Sequence, residues 1–169
     1  MRLLIVGGPI SRSYRVGESP LFAGAYPGSG EEADAEADVE AICAAGVDLL
    51  FDLTEFGELE PYAHLLPPGV EHRRFPIPDF TAPRPGYAAQ ILDELTSSLA
   101  AGKTIYVHCW GGRGRTGTLA GCWLVRNGLS GPDALDAIAR RRQGLPDGDL
   151  PSPETAEQRD LVLRWEPGT

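Results

Sequence analysis

Two kinds of hydrophobic run alternate along the chain. Nearly continuous apolar stretches at 47–53 (Val47-Asp48-Leu49-Leu50-Phe51-Asp52-Leu53) and 104–107 (Thr104-Ile105-Tyr106-Val107) predict strands covered on both faces. A further strand is predicted over 70–75. Two short extended stretches, Tyr14-Arg15-Val16 and Leu21-Phe22-Ala23-Gly24, predict a hairpin because turn residues separate them. Helical spacing takes over between these runs. Val39, Ile42 and Cys43 share one face of a helix near 30–45, expected to open with a capping box of Ser29 and Glu32. Pro85-Gly86 opens a helix with Tyr87, Ile91, Leu95 and Leu99 at i, i+4 spacing. The apolar run Leu119-Ala120-Gly121-Cys122-Trp123-Leu124-Val125 predicts a buried helix after the strand at 104–108, and two more helices follow it. Residues 54–66 read as a polar loop with a short helix. Strands alternating with helices predict an α/β fold: a single domain over 1–169, with a mostly parallel central sheet of four to five strands flanked by helices. A ligand site is expected at the carboxyl ends of those strands.

Composition narrows the function classes. A chain of 169 residues is large enough for a core without disulfide staples, and three cysteines are too few for a disulfide framework. Cys43 and Cys122 fall in apolar helical patterns and are expected as small buried hydrophobes. No apolar run reaches membrane-spanning length and the first residues are too short for a signal-peptide core, which predicts a soluble, cytoplasmic protein. The net charge of −9 argues against nucleic acid or an anionic membrane as partner. It does not argue against a local anion site, because distant charges are screened beyond about 8–10 Å. The acidic stretch from Glu31 to Glu40 reads as the solvated face of its helix.

Chemistry concentrates in His108-Cys109-Trp110-Gly111-Gly112-Arg113-Gly114-Arg115-Thr116. A glycine-rich gap between a cysteine and an arginine, placed between a buried strand and a buried helix, can curl into a cup of inward-pointing backbone amides. Trp110, Gly111, Gly112, Arg113 and Gly114 form that cup, and its ligand is expected to be a phosphate-like oxyanion at the helix N-terminus. A free thiol titrates near ~8.5, and the same helix terminus with a guanidinium beside it favours the thiolate, the form that attacks phosphorus. Arg115 supplies a planar fork for two phosphate oxygens, which lysine cannot. Thr116 can donate its hydroxyl to the sulfur. Strand alternation points His108 away from a cup-facing Cys109, so His108 is expected to order the loop from behind.

The same residues resemble the signature His-Cys-x5-Arg-Ser/Thr of the Cys-based protein tyrosine and dual-specificity phosphatase superfamily, and the short chain resembles its small atypical dual-specificity members. The resemblance implies a two-step reaction through a phosphocysteine on Cys109, with no metal and no cofactor. It also implies a general acid on an upstream loop. Phe75-Pro76-Ile77-Pro78-Asp79-Phe80-Thr81-Ala82-Pro83 places Asp79 there, and Phe80 is positioned to take its carboxyl out of water on loop closure. Ser152-Pro153-Glu154-Thr155-Ala156-Glu157-Gln158 is similar to the segment that other members set beside the hydrolytic water. Gln158 matches one of its positions, while Glu154 departs from it. A plain helix start with Ser152 as N-cap, Pro153 at the first helical position and Glu154 in the first turn is the competing reading.

The substrate implied is a phosphorylated protein or peptide carrying phosphotyrosine, with phosphoserine and phosphothreonine as further targets. Inositol phosphates or other small monoesters are the alternative, and a catalytically silent phosphate-binding module is a third. Arg113 is left open between a second phosphate, a peptide carboxylate and solvent. Arg140-Arg141-Arg142 closes a helix, where cations suit the dipole, with substrate docking as the other reading. Gly112-x-Gly114-x-x-Gly117 also spells a dinucleotide-binding pattern, but the chain after it offers helices rather than the required strand ending in an acid.

Overall fold

The computed structural model describes residues 7–29 and 34–169. Strands β1 (Ser13–Arg15), β2 (Leu21–Gly24), β3 (Leu49–Asp52), β4 (Glu71–Arg74) and β5 (Ile105–His108) form one sheet of order β1-β2-β5-β3-β4. Among the five strands the β1–β2 hairpin is antiparallel, with Gly7 adding an antiparallel bridge to Tyr14, and β2–β5, β5–β3 and β3–β4 are parallel. Parallel neighbours require crossovers, and helices α1 (Ala35–Ala44) and α2 (Pro85–Ala100) lie within them. Three helices follow β5: α3 (Arg115–Arg126), α4 (Gly131–Arg142) and α5 (Ala156–Arg164). This is the mostly parallel α/β sheet expected from the sequence. No helix among the described residues is long and apolar enough to cross a membrane.

Side-chain alternation along the strands divides the core in two. Leu49, Phe51, Ile105 and Val107 point to the face covered by Ile91 and Leu95 of α2, Leu119 and Trp123 of α3, Ile138 of α4 and Val162 of α5. Leu50 and Tyr106 point to the other face, where Val39 and Ile42 of α1 pack with Tyr26 and Tyr62. The same alternation sets the site. Cys109 falls in the first cluster, whereas His108 stacks edge-on against Tyr26 on the second face, ring centroids 5.1 Å apart. Ten of the twelve residues of α3 are buried, Arg115, Thr116 and Thr118 among them, so polar groups of its first turn lie in the interior beside the apolar ones. The loop ahead of it is thereby anchored at both ends to the interior.

Two helix starts differ from the sequence expectation. α1 begins at Ala35 with Asp34 as N-cap, its side chain accepting from the Glu36 amide at 2.9 Å. Ser29 instead accepts from Arg12 (2.7 Å) and donates to the Trp110 carbonyl (3.3 Å), and Glu32 lies outside the described residues. α5 is capped by Thr155, not Ser152. Thr155 Oγ1 accepts from the Gln158 amide, and Gln158 Oε1 accepts from the Thr155 amide, a reciprocal capping box. Ser152 is engaged elsewhere: its hydroxyl donates to the Arg113 carbonyl at 2.7 Å.

Candidate active site

Cys109 directly follows the central strand β5, buried at 3 % exposure, and α3 opens at Arg115 with Gly114 as N-cap. The intervening loop is held by packing as well as by bonds. Gly112 has φ of +77°, and a Cβ there would come within 2.4 Å of the Gly24 carbonyl carbon at the end of β2. Only glycine meets both conditions. A Cβ at Gly117, in the first turn of α3, would come within 2.2 Å of Ser152 Oγ. The Tyr26 amide donates to the Trp110 carbonyl at 2.9 Å, and Arg142 reaches the Gly112 carbonyl at 3.4 Å. Arg142 is almost fully buried and paired with Asp147 at 3.1 Å. It is thus a brace behind the loop and not a docking cation. Arg141 donates to the Arg15 carbonyl, and Arg140 stays exposed.

Arg115, 1 % exposed, is gripped on several sides. Glu58 takes it bidentately at 2.9 and 2.6 Å, Nη1 also donates to the Ile77 carbonyl at 2.9 Å, and Nη2 lies 3.2 Å from Asp79 Oδ1. Burial works against its charge, but the Glu58 hydrogen bonds and the nearby Cys109 and Asp79 outweigh it and raise its pKa above the ordinary guanidinium value. The Arg115 hydrogen bonds in turn hold Glu58 below the usual carboxylate range. Two donors of α3's first turn, Arg115 Nε and Thr116 Oγ1, are buried without a partner among the described residues.

Asp79 therefore does reach the phosphate loop, through the cation. Its surroundings differ from the expected apolar cover. The carboxylate accepts from the Phe80 amide at 2.9 Å and remains 37 % exposed, while the Phe80 ring, on a residue with φ of +61°, is itself exposed. Gln158 is fully buried. Its Oε1 accepts from the Glu154 and Thr155 amides, and its Nε2 donates to the Thr81 carbonyl at 3.1 Å. The amide thus ties the Asp79 loop to α5, next to Gly114, whose Cβ position lies 3.1 Å from it. Arg113 does not face solvent freely: it donates to the Pro151 carbonyl at 2.8 Å and pairs with Glu154 at 3.2 Å.

His108 stands behind the loop as expected. Tyr62, whose phenol is kept protonated by burial, donates to Nε2 at 2.5 Å, which leaves Nδ1–H to donate to the Cys109 carbonyl at 3.2 Å. Asp52 underlies the pair. Burial alone would raise its pKa, but hydrogen bonds from His72 (2.9 Å) and Thr54 (2.6 Å) hold it far below the usual range. Burial pulls His108 from 6.5 down to about 4, against the attraction of Asp52. The unfolded chain then binds a proton there between about pH 6.5 and 4 that the native state refuses, so this contribution is complete above that window and is lost as pH falls through it. Denaturant unfolding of the wild type should lose about 3 kcal/mol across the window through this group, and His108→Gln should show a correspondingly flatter pH dependence.

Glu58, Tyr62 and Arg142 hold Arg115, His108 and Gly112 from 57, 46 and 30 positions away. No local pattern marks Glu58 or Tyr62, and Arg142 stands out only as the last of three arginines closing α4.

A cysteine-to-arginine anion cup at the carboxyl end of the central parallel strand, faced by an acidic loop, defines the class of Cys-based phosphatases. Comparison with known proteins narrows this. Residues 28–158 match the family described as PTP-SAK, Swiss Army Knife protein, DSP-PTPase phosphatase domain, and the chain belongs to that family. Cyclin-dependent kinase inhibitor 3 of Rattus norvegicus is 30% identical over 109 residues, covering 60% of this chain and 51% of that protein. Phosphatidylglycerophosphate phosphatase PTPMT1 of Arabidopsis thaliana is 32% identical over 88 residues, covering 48% of this chain and 26% of its own. The chain spans about half the length, or less, of these curated relatives. Among solved structures, Tk-PTP in the active form is 29% identical with a TM-score of 0.73, covering 92% of this chain and 96% of that one. Kinase associated phosphatase, at 24% identity and a TM-score of 0.69 over 84% of this chain and 83% of that chain, shares the fold.

Proposed function

We propose that the chain is a phosphatase of phosphorylated proteins or peptides, acting on phosphotyrosine and also on phosphoserine and phosphothreonine through a phosphocysteine intermediate. The observation that carries this reading is the pair of buried, unpartnered donors, Arg115 Nε and Thr116 Oγ1, in the first turn of the helix behind Cys109. An unmade buried hydrogen bond costs about 1–3 kcal/mol. A bound phosphoryl group removes that cost for Arg115 Nε and the Cys109 sulfur is the acceptor left to Thr116 Oγ1, while family membership names the chemistry.

In the reaction the Cys109 thiolate attacks phosphorus while the bond to the leaving oxygen breaks. Asp79 gives that oxygen its proton. Arg115, oriented by Glu58, meets the charge spread over the equatorial oxygens together with the loop amides. The ionised Asp79 then takes a proton from water, whose oxygen attacks phosphorus; the S–P bond breaks, and Thr116 steadies the departing thiolate. A phosphoryl group held by Nε and Nη2 of Arg115 must displace Asp79 from Nη2, which frees the carboxyl for the leaving oxygen. Nothing in this sequence calls for a metal or a cofactor, so chelator should leave the rate unchanged. Gln158 enters as a positioning residue for the acid loop. With Arg113 tied to Glu154, inositol polyphosphates, which would need a second cation, rank below peptides. A reactive free thiol suits the cytoplasm, where we place the chain.

Asp79→Asn tests the acid. The variant should lose about 10²–10⁴-fold in kcat on alkyl-like phosphoserine peptides and far less on aryl esters with good leaving groups, since only the former require protonation. Equal losses on both, measured by metal-free phosphate release, would remove Asp79 from the mechanism.

A further inference from the structure

Six large hydrophobic side chains are exposed among the described residues, and four of them lie within two residues, along the chain, of a residue that forms or braces the site. Trp110 follows Cys109 directly. Phe80 follows Asp79, which touches Arg115. Phe56 precedes by two residues Glu58, the bidentate partner of Arg115. Leu150 precedes Pro151, whose carbonyl holds Arg113. Exposures are 92% for Phe56, 59% for Phe80, 47% for Trp110 and 46% for Leu150. Apolar side chains clustered around one site mark a contact surface, whereas scattered ones do not. Phe56, Leu59 and Pro61, with Glu58, His72 and Arg74, also line a cleft of about 640 Å³, which Glu58 connects to Arg115.

The cations bordering the same site are engaged internally. Arg113 is paired with Glu154, Arg115 with Glu58 and Asp79, and Arg74, which lies under the Phe56 ring at 5.4 Å, with buried Asp52 at 3.0 Å. Glu55, Glu58 and Glu60 add negative charge on the loop that carries Phe56. Arg12 and Arg84, on the flanking segments, have no carboxylate partner among the described residues; Arg12 bonds Ser29, and a surface cation in screened water adds little to binding. Screened alike, the exposed charges of either sign leave acidic neighbours of the phosphate little to bind at the mouth, and its surface offers apolar contacts in their place. A membrane bearing anionic lipids is disfavoured by the net charge of −9.

We infer that this phosphatase selects phosphotyrosine segments whose flanking residues are apolar or aromatic, and discriminates against acidic flanks. The inference rests on the phosphatase reading and specifies its substrate class. Selection comes from Phe56, Phe80, Trp110 and Leu150 outside the cup, while the internal pairing of Arg113 by Glu154 removes the cation that an acidic flank would need.

The test is kcat/KM on phosphotyrosine peptides of equal length with leucine and phenylalanine flanks, serine and glycine flanks, or aspartate and glutamate flanks. A small aryl phosphate, an inositol polyphosphate and a phosphoinositide in phosphatidylcholine vesicles run beside them. The apolar-flanked peptide should exceed the acid-flanked one by at least about tenfold, the scale of a good apolar contact in recognition. Phe56→Ser, at a site too exposed to threaten folding, should narrow the gap by raising KM for the apolar-flanked peptide. Glu154→Ala should release Arg113 and raise kcat/KM on the acid-flanked peptide several-fold, a gain that misfolding cannot produce. Equal or better turnover of the acid-flanked peptide by the wild type, or vesicle-borne phosphoinositide outpacing every peptide, with the aryl phosphate still hydrolysed, overturns the inference alone. No turnover of any phosphate ester, the aryl phosphate included, overturns the phosphatase reading and the inference with it.

Discussion

Cys109→Ser should lower turnover by at least about 10⁴-fold while leaving a folded protein that still binds phosphate, tungstate or vanadate. The expectation follows from dividing the site into two functions. Attack on phosphorus requires an anionic sulfur; a serine hydroxyl ionises too far above neutral pH to replace it, and no side chain near Cys109 is set to take its proton, because His108 faces the opposite side of the sheet with both ring nitrogens engaged. Oxyanion binding requires the loop shape instead, and that shape depends on residues the substitution does not touch. Gly112 sits against the end of β2, Ser152 holds the Arg113 carbonyl, and Arg142 braces the Gly112 carbonyl. Saturating oxyanion at about 100 times its dissociation constant should stabilise the variant by about 2.7 kcal/mol, or roughly 5–10 °C in Tm for a chain of this size. Rates and thermal shifts measured on one preparation separate the two functions. Residual turnover within tenfold of the wild type would place the nucleophile elsewhere; loss of the shift would mean that sulfur also shapes the cup.

How much of this was legible beforehand follows from sequence separation. The strands at 49–52 and 105–108 announce themselves as short continuous apolar runs, because both of their faces are buried, and the helices through a period of 3.6; each is a local pattern. Cys109, Arg115 and Thr116 are close in the chain, so the cup they form is legible from residue types alone. Asp79 was found through the resemblance to the superfamily, since an aspartate after proline is otherwise an ordinary turn residue. Of the two readings left open for 152–158, the helix start with Ser152 as N-cap does not hold, because two capping patterns overlap there. Ser152-Pro153-Glu154 is a good start locally, but the Ser152 hydroxyl is drawn to the phosphate loop, 39 positions away, and Thr155 and Gln158 make the box instead. Glu58 escaped for the same physical reason. A glutamate in a polar loop carries no mark until folding brings it against Arg115.

Arg115→Lys should reduce kcat by about 10³-fold or more on every substrate, although the charge is kept. The reason is a count of donors. Arginine offers five N–H groups in a fixed fork, and its Nη atoms already serve both Glu58 oxygens, the Ile77 carbonyl and Asp79, with Nε left over. When phosphate enters, Asp79 yields its place, and the guanidinium grips two phosphate oxygens without releasing Glu58. An ammonium has three donors and no fixed plane. Placed between Glu58, the Ile77 carbonyl and a phosphoryl group, it must abandon one of them, and the half-buried Glu58 carboxylate, kept ionised by its hydrogen bonds to the cation, is the strongest competitor. The lysine therefore settles on Glu58, and the transition-state charge goes largely unmet. Glu58→Gln supplies the contrast: it loosens the fork but leaves its donors, so its loss should be nearer tenfold. Measuring kcat and phosphate affinity for both variants decides the matter, because a site that needed only positive charge would tolerate the lysine and be weakened more by the glutamine.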